Sequence, residues 1–320
     1  MKKNKIKDTG LEVTELSFGT SSLGSMPDTY GYEVSENRAQ KTLNRFFQGP
    51  VNMLDTSRNY AMGESEKRIG KAIKEKGGWP NGFLLSTKLD RNMDTLVLDK
   101  NRVRESLEKS LKTLNVDSVD ILFLHDPEYA KDITDITKKD GAMDELFKIK
   151  NEGLAKAAGV AMGKVDIMFP LLKNWDFDVI INHNRYTLLN REANEMYDYA
   201  SSKNIAIFNA APYAGGVLAK GPSNFKKITY QDASEEKLAP AREIEKVCKK
   251  YNVEMGAAAL QFSMKDKRIT STICGVTSIQ SIEKNLAWAN TIIPEEFWNE
   301  VLKLPYSTKD PESERNFTPG

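Results

Sequence analysis

The chain has 320 residues, 40% hydrophobic and 28% charged, ordinary globular usage that excludes a disordered or fibrous class. Its 46 Lys+Arg balance 45 Asp+Glu to a net charge of +1, so no long-range field draws in nucleic acid or an anionic membrane. Two cysteines, Cys248 and Cys274, and two histidines, His125 and His183, are too few for a disulfide scaffold or a zinc site of ordinary spacing. The opening Met-Lys-Lys-Asn-Lys-Ile-Lys-Asp has no apolar run behind its lysines. No stretch nears the ~18 uninterrupted apolar residues of a membrane helix. The expectation is a cytoplasmic protein with no nucleic-acid or membrane partner and no metal.

In chain order, residues 5–16 carry Asp8-Thr9-Gly10 between alternating flanks, which predicts a hairpin. Short apolar runs follow at 16–18, 51–54, 83–85, 119–124, 157–161, 179–181, 205–208 and 271–273. Several are too short for a helix and carry Val, Ile and Phe, so they read as buried strands. Between them, residues 101–114 put Val103, Leu107, Leu111 and Leu114 at helical spacing, and residues 256–264 and 281–289 behave alike. Strand–helix alternation repeated about eight times predicts an α/β fold. In this length it favours a closed (β/α)₈ TIM barrel, one domain over residues 1–320, with the N-terminal β-hairpin across its bottom. The Gly-, Pro- and polar-rich segment 213–239 predicts a functional loop, and the polar tail 308–320 a mobile or surface-draped end.

Chemistry in such barrels sits at the C-terminal ends of the strands. Three consecutive units end in unusual residues. One apolar run leads into Asp55-Thr56-Ser57-Arg58-Asn59-Tyr60, the next into Ser86-Thr87-Lys88, the third into His125-Asp126-Pro127. Taken singly, Asp55 reads as a turn cap, Lys88 as a rim charge and His125 as a core residue. Consecutive strands are neighbours in a barrel, so together the three face one pocket, and the loop after Asp55 carries Tyr60 over it. A free phenol, with a pKa of about 10, is a poor acid or base at neutral pH. A nearby Lys88 ammonium is expected to lower it, with Asp55 orienting Lys88 and His125 donating to the substrate oxygen.

The segment Asp55-Thr56-Ser57-x-x-Tyr60, followed by Gly63-Glu64-Ser65-Glu66-x-x-Ile69-Gly70, resembles the signature of the aldo-keto reductases. Ser86-Thr87-Lys88, His125-x-Pro127, and Ser271 to Gly275 followed by Asn285 extend the likeness over nearly the whole chain. Within that family, Asp55 to Tyr60, His125 to Glu128, Arg185 to Leu189 and Asn209 to Val217 look most like the sugar-dehydrogenase branch that includes L-fucose dehydrogenase and D-threo-aldose 1-dehydrogenase. Pyridoxal 4-dehydrogenase is similar. The resemblance implies a catalytic tetrad of Asp55, Tyr60, Lys88 and His125. It also implies direct hydride transfer to or from a nicotinamide cofactor, and oxidation of an aldose at C1 to a lactone. The partner it implies is a small sugar or aldehyde.

The chain departs from the family around the cofactor. Ala161-Met162 stand where a Ser-Asn pair is common, Asn182, His183 and Asn184 are candidates for a missing Gln, and Ala210 replaces a stacking aromatic. Aligned on Asn285, Gly275, Val276 and Ser281 occupy the positions of phosphate ligands, and none is basic. The expected cofactor is therefore NAD, with NADP possible and Arg268 the cation that would swing in. Alternatives on the same sequence are a pyridoxal 4-dehydrogenase or general aldehyde reductase, a Schiff-base aldolase using Lys88, and a nucleotide-holding regulatory subunit. Substrate choice is expected to lie in residues 24–32, 128–140 and 213–230.

Overall fold

The computed structural model describes residues 1–315. Strands β1 (Lys3–Ile6) and β2 (Leu11–Thr14) form the N-terminal hairpin. Eight parallel strands then close a barrel: β3 (Leu16–Gly19), β4 (Met53–Asp55), β5 (Leu84–Leu89), β6 (Val119–His125), β7 (Ala155–Met162), β8 (Val179–His183), β9 (Ala206–Ala210) and, after a short pair β10 (Lys227–Ile228) and β11 (Gln231–Asp232), β12 (Ile269–Gly275). β12 pairs with both β9 and β3, which shuts the ring. This is the expected (β/α)₈ architecture.

The period-2 alternation of each strand sorts its side chains into two layers. Along β6, Ile121 and Phe123 join one cluster while Leu122 and Leu124 join another. The first cluster holds Met53, Leu84, Val179, Ile181, Phe208 and Ile273 and is the barrel interior, where Phe123 and Phe208 meet edge-on at 6.4 Å. The second packs the outward faces against helices such as Glu64–Lys76, Lys100–Leu114 and Met255–Met264. Ile6, Leu11 and Val13 of the hairpin belong to the interior cluster beside the first residues of the strands, so the hairpin plugs the bottom as expected. The Asn52 carboxamide oxygen fixes it there by accepting from the Thr14 amide at 2.8 Å.

Local chemistry sets the helix limits. Asp99 caps Lys100–Leu114 by accepting from the Arg102 amide, and Asn115 ends it in the left-handed conformation. The reciprocal pair Ser278 and Ser281 opens Ile279–Asn290. Among the described residues no helix is long and apolar enough to cross a membrane, and no cluster of three potential metal ligands occurs.

Candidate active site

Alternation places the functional side chains. Asp55 shares the inward face with Met53, Lys88 with Leu84 and Ser86, and His125 with Ile121 and Phe123. The registers Asp55↔Ser86 and Lys88↔Phe123 bring the three to one side of the barrel mouth. Lys88 Nζ donates to Asp55 Oδ2 at 2.7 Å, to the Thr56 carbonyl at 2.7 Å and to Tyr60 Oη at 3.0 Å. Asp55 Oδ1 accepts from Ser86 at 2.9 Å. The Lys88 and Asp55 side chains are only 2% and 5% exposed, a burial tolerable because both partners are hydrogen-bonded all round.

Tyr60 rides on a strained turn. Ala61 and Met62, neither a glycine, sit at φ 52° and 56°. Gly24 makes room: a Cβ there would lie 2.6 Å from Ala61 Cβ and 3.3 Å from the Tyr60 carbonyl oxygen. The signature residues that follow are braces. Ser65 donates to the Thr20 carbonyl at 2.9 Å, and buried Glu66 accepts from Thr87 at 2.7 Å.

His125 meets the Tyr60 ring edge-on, with centroids 5.8 Å apart. Its Nδ1 lies 2.5 Å from Asp90 Oδ1, and its Nε2 lies 3.7 Å from Asp126 Oδ2. Burial works against the imidazolium, but Asp126 and Asp90 outweigh it and raise the His125 pKa. Burial likewise opposes the Asp90 charge, and the His125 and Ser57 contacts still hold its pKa below the usual value. Tyr60 departs from expectation. Burial, then Asp55, Tyr30, Asp126 and Asp90, push its phenol well above 10, against the lowering expected from Lys88 alone.

The positions expected to hold the cofactor fall into three groups. Ala210 and Gly275, with Ala161, carry small side chains on the inward face at the mouth, and a Cβ on Gly275 would meet no atom within 4 Å. His183, at the end of β8, also faces the mouth. Asn182 does not. It shares its face with Ile180, is fully buried, and donates to the Met162 and Gly163 carbonyls at 3.1 and 2.8 Å, so it is turned away from the pocket into the helix layer. Val276 is buried behind β3, its amide donating to the Gly19 carbonyl at 3.1 Å. Ser281 is occupied as a helix cap, accepting from the Thr277 and Ser278 amides at 2.9 and 3.0 Å. Asn285 accepts from the Tyr213 hydroxyl and donates to the Ser281 carbonyl at 2.7 Å.

The expected cation is also elsewhere. Arg268 precedes β12 at the bottom of the barrel and is held by Asp266 and Asp198, each at 2.6 Å. Instead, Arg38 of the helix Glu36–Phe46 donates to Thr277 Oγ1 at 3.2 Å. With Lys41 it lines a cavity of about 330 Å³ against Ser278, Ile279 and Gln280.

The tail is docked, not draped, up to residue 315; residues 316–320 lie outside the described residues. Glu312 pairs with the fully buried Arg185 and lies 3.5 Å from His183 Nδ1, while Asp310 bonds Arg185 at 2.6 Å. The Pro311 carbonyl accepts from Thr229 at 3.1 Å. Tyr230 links this strap to the loop after β3, meeting Tyr30 edge-on at 5.9 Å with Arg315 over its other side at 5.3 Å.

The chain is 31% identical to L-galactose dehydrogenase from Arabidopsis thaliana over 88% of its own length and 85% of that protein's. It is 26% identical to D-threo-aldose 1-dehydrogenase from a Pseudomonas species, covering 92% of this chain and 94% of the relative. The fold superposes on the holo form of aldo-keto reductase AKR11C1 from Bacillus halodurans with a TM-score of 0.79, at 21% identity over 99% of this chain and 100% of that one. A sequence profile of the aldo/keto reductase family matches residues 15–304, and the chain belongs to that family of oxidoreductases.

Proposed function

We propose that the protein oxidises an aldose at C1 to the lactone, with L-fucose or a sugar of the same configuration as preferred substrate and NAD as preferred cofactor. The observation that carries this reading is Tyr60 Oη at 3.0 Å from Lys88 Nζ, with His125 edge-on across the same mouth. The oxidised nicotinamide, when bound, supplies the hydride acceptor. Tyr60 enters the oxidation as a phenolate whose charge Lys88 offsets, and it takes the C1 hydroxyl proton as C1 gives up its hydride. Two electrons leave with the hydride and the lactone carbonyl forms. Because burial and the neighbouring carboxylates raise the resting phenol well above its usual value, the phenolate that oxidation needs grows as pH rises, and oxidation runs faster with it.

The sugar class is supported by the two dehydrogenases reported above, since L-fucose is L-galactose without its 6-hydroxyl. It is also supported by a polar rim. Burial and the neighbouring Asp126 push Glu128 up to about 8, so at neutral pH its carboxyl is mostly protonated and both donates and accepts hydrogen bonds. Use of Lys88 as a Schiff-base nucleophile fits poorly, because Asp55, Thr56 and Tyr60 surround its ammonium. For the cofactor, the end of β12 contributes no cation, which favours NAD, while Arg38 of the facing helix beside Thr277 leaves NADP a weaker option. A panel of aldoses, pyridoxal and aliphatic aldehydes with NAD and NADP tests the reading. A wide margin for pyridoxal or a simple aldehyde over every sugar rejects it.

A further inference from the structure

Asp90 follows β5 by one residue and plays no part in the tetrad, yet it is fully buried and touches two of the elements that carry the tetrad. One of its oxygens lies 2.5 Å from His125 Nδ1. The other accepts from Ser57 at 2.7 Å and from the Asn59 amide, one residue before Tyr60, at 2.9 Å. Its own amide donates to Ser106 at 3.0 Å and its carbonyl accepts from Arg102 at 2.9 Å, so the carboxylate is held from behind. A carboxylate this buried is costly unless each oxygen is satisfied, and here each is.

We propose that Asp90 is a positioning residue that accepts from His125 Nδ1–H and so favours the imidazolium, whose Nε2–H is directed into the barrel mouth as a hydrogen-bond donor to the substrate oxygen. The same carboxylate anchors the turn bearing Tyr60, so the two groups that face the reacting oxygen are registered to one another through Asp90. The logic is that of a carboxylate orienting an imidazole by its far nitrogen. Other charged groups face His125 as well. Asp126 on its own strand end supports the cation, while Lys88 from β5 opposes it; His183 from β8 is itself disfavoured as a cation by His125, and Tyr60 packs against the ring. Burial lowers the His125 pKa, and Asp126 and Asp90 together raise it above the ordinary histidine value, which agrees with the geometry. The protonated donor rests on the proposed hydride chemistry, but the Nδ1 proton does not depend on which sugar is the substrate.

Only two histidines occur in the chain, so imidazole nitrogens are easily resolved by ¹⁵N NMR, and a His183→Gln variant assigns His125. In the wild-type protein, His125 is expected to carry protons on both nitrogens below its titration and to keep the Nδ1 proton in the neutral form above it. In Asp90→Asn the His125 titration is expected to move to lower pH. The turnover of aldehyde reduction should fall at least about tenfold, part of the roughly 10²- to 10⁴-fold that general acid help supplies. The limb of kcat/KM that falls with rising pH should move the same way as the titration. Ser57→Ala, which removes one bond to Asp90 and a 3.1 Å contact to His125 Nδ1 but leaves the Asp90–His125 pair, should shift the titration less. A His125 spectrum with the proton on Nε2 alone overturns the proposal even if Asp90→Asn does not fold. So does an Asp90→Asn protein whose His125 titration and pH limb match the wild type. Failure of the sugar panel with these NMR results intact would reject the substrate class and not the role of Asp90.

Discussion

The Lys88 ammonium donates to the Tyr60 phenol oxygen at 3.0 Å while bonded to Asp55 at 2.7 Å. Because Lys88 is the donor in that contact, the Tyr60 O–H is left to face the substrate. Replacing Tyr60 with Phe removes that proton and little else. Turnover should drop by about 10²-fold or more, while the dissociation constant for the dinucleotide, read by quenching of protein fluorescence, changes less than threefold, on the order of 0.6 kcal/mol. Near-normal turnover in Tyr60→Phe would remove the phenol from the mechanism.

The same buried pair makes a stability prediction. Lys88→Met leaves the Asp55 carboxylate buried without its counter-ion, and should cost about 3–5 kcal/mol in urea unfolding. The double variant Lys88→Met with Asp55→Asn should recover much of that loss, although neither protein turns over at a normal rate. Additive losses would mean that the two side chains do not depend on each other for burial.

Arg38 should govern the response to the 2′-phosphate of NADP. Its removal in Arg38→Ala is expected to weaken NADP about tenfold, or about 1.4 kcal/mol, and NAD by less than twofold. Titration of both cofactors by fluorescence checks this. An equal loss for both would place Arg38 away from the 2′-phosphate.

The C-terminal strap should carry a pH signature. Burial opposes the Glu312 charge, but His183, Arg185 and Arg315 hold its pKa below the ordinary carboxyl value. Its contribution is therefore present above the carboxyl range and lost as pH falls through it. Glu312→Gln should lower Tm at pH 7, and the gap to the wild type should close below about pH 4.5. A gap that stays constant into acid would show that the carboxylate charge is not what holds the strap.

Much of the fold was readable because parallel strands buried on both faces leave continuous apolar runs, and all eight runs fall on barrel strands. The run at 83–85 marks only the lower half of β5, which continues through Ser86, Thr87 and Lys88 because Ser86 and Lys88 are satisfied inside the barrel and Thr87 by Glu66 of the surrounding helix. The gathering of Asp55, Lys88, His125 and Tyr60 at one mouth was readable because three neighbouring strands end in polar residues. The face of Asn182 was not, since choosing between Asn182 and His183 needs the strand register. Nothing in the sequence singles out Asp90 or Arg38, for their partners lie 35 and 239 residues away. The tail is polar because it carries Asp310 and Glu312 to a buried arginine, and composition alone does not distinguish that from exposure to water.

The most direct test of the central claim uses L-fucose or L-galactose carrying deuterium at C1, incubated with the wild-type protein and NAD. Mass spectrometry then reads both products. Direct hydride transfer predicts a reduced nicotinamide one mass unit heavier, formed in equal amount with an unlabelled lactone. Transfer in Tyr60→Phe should be slower by about 10²-fold. Reduced cofactor without the label, or no turnover of either sugar at any pH while pyridoxal or a simple aldehyde is consumed, would contradict it.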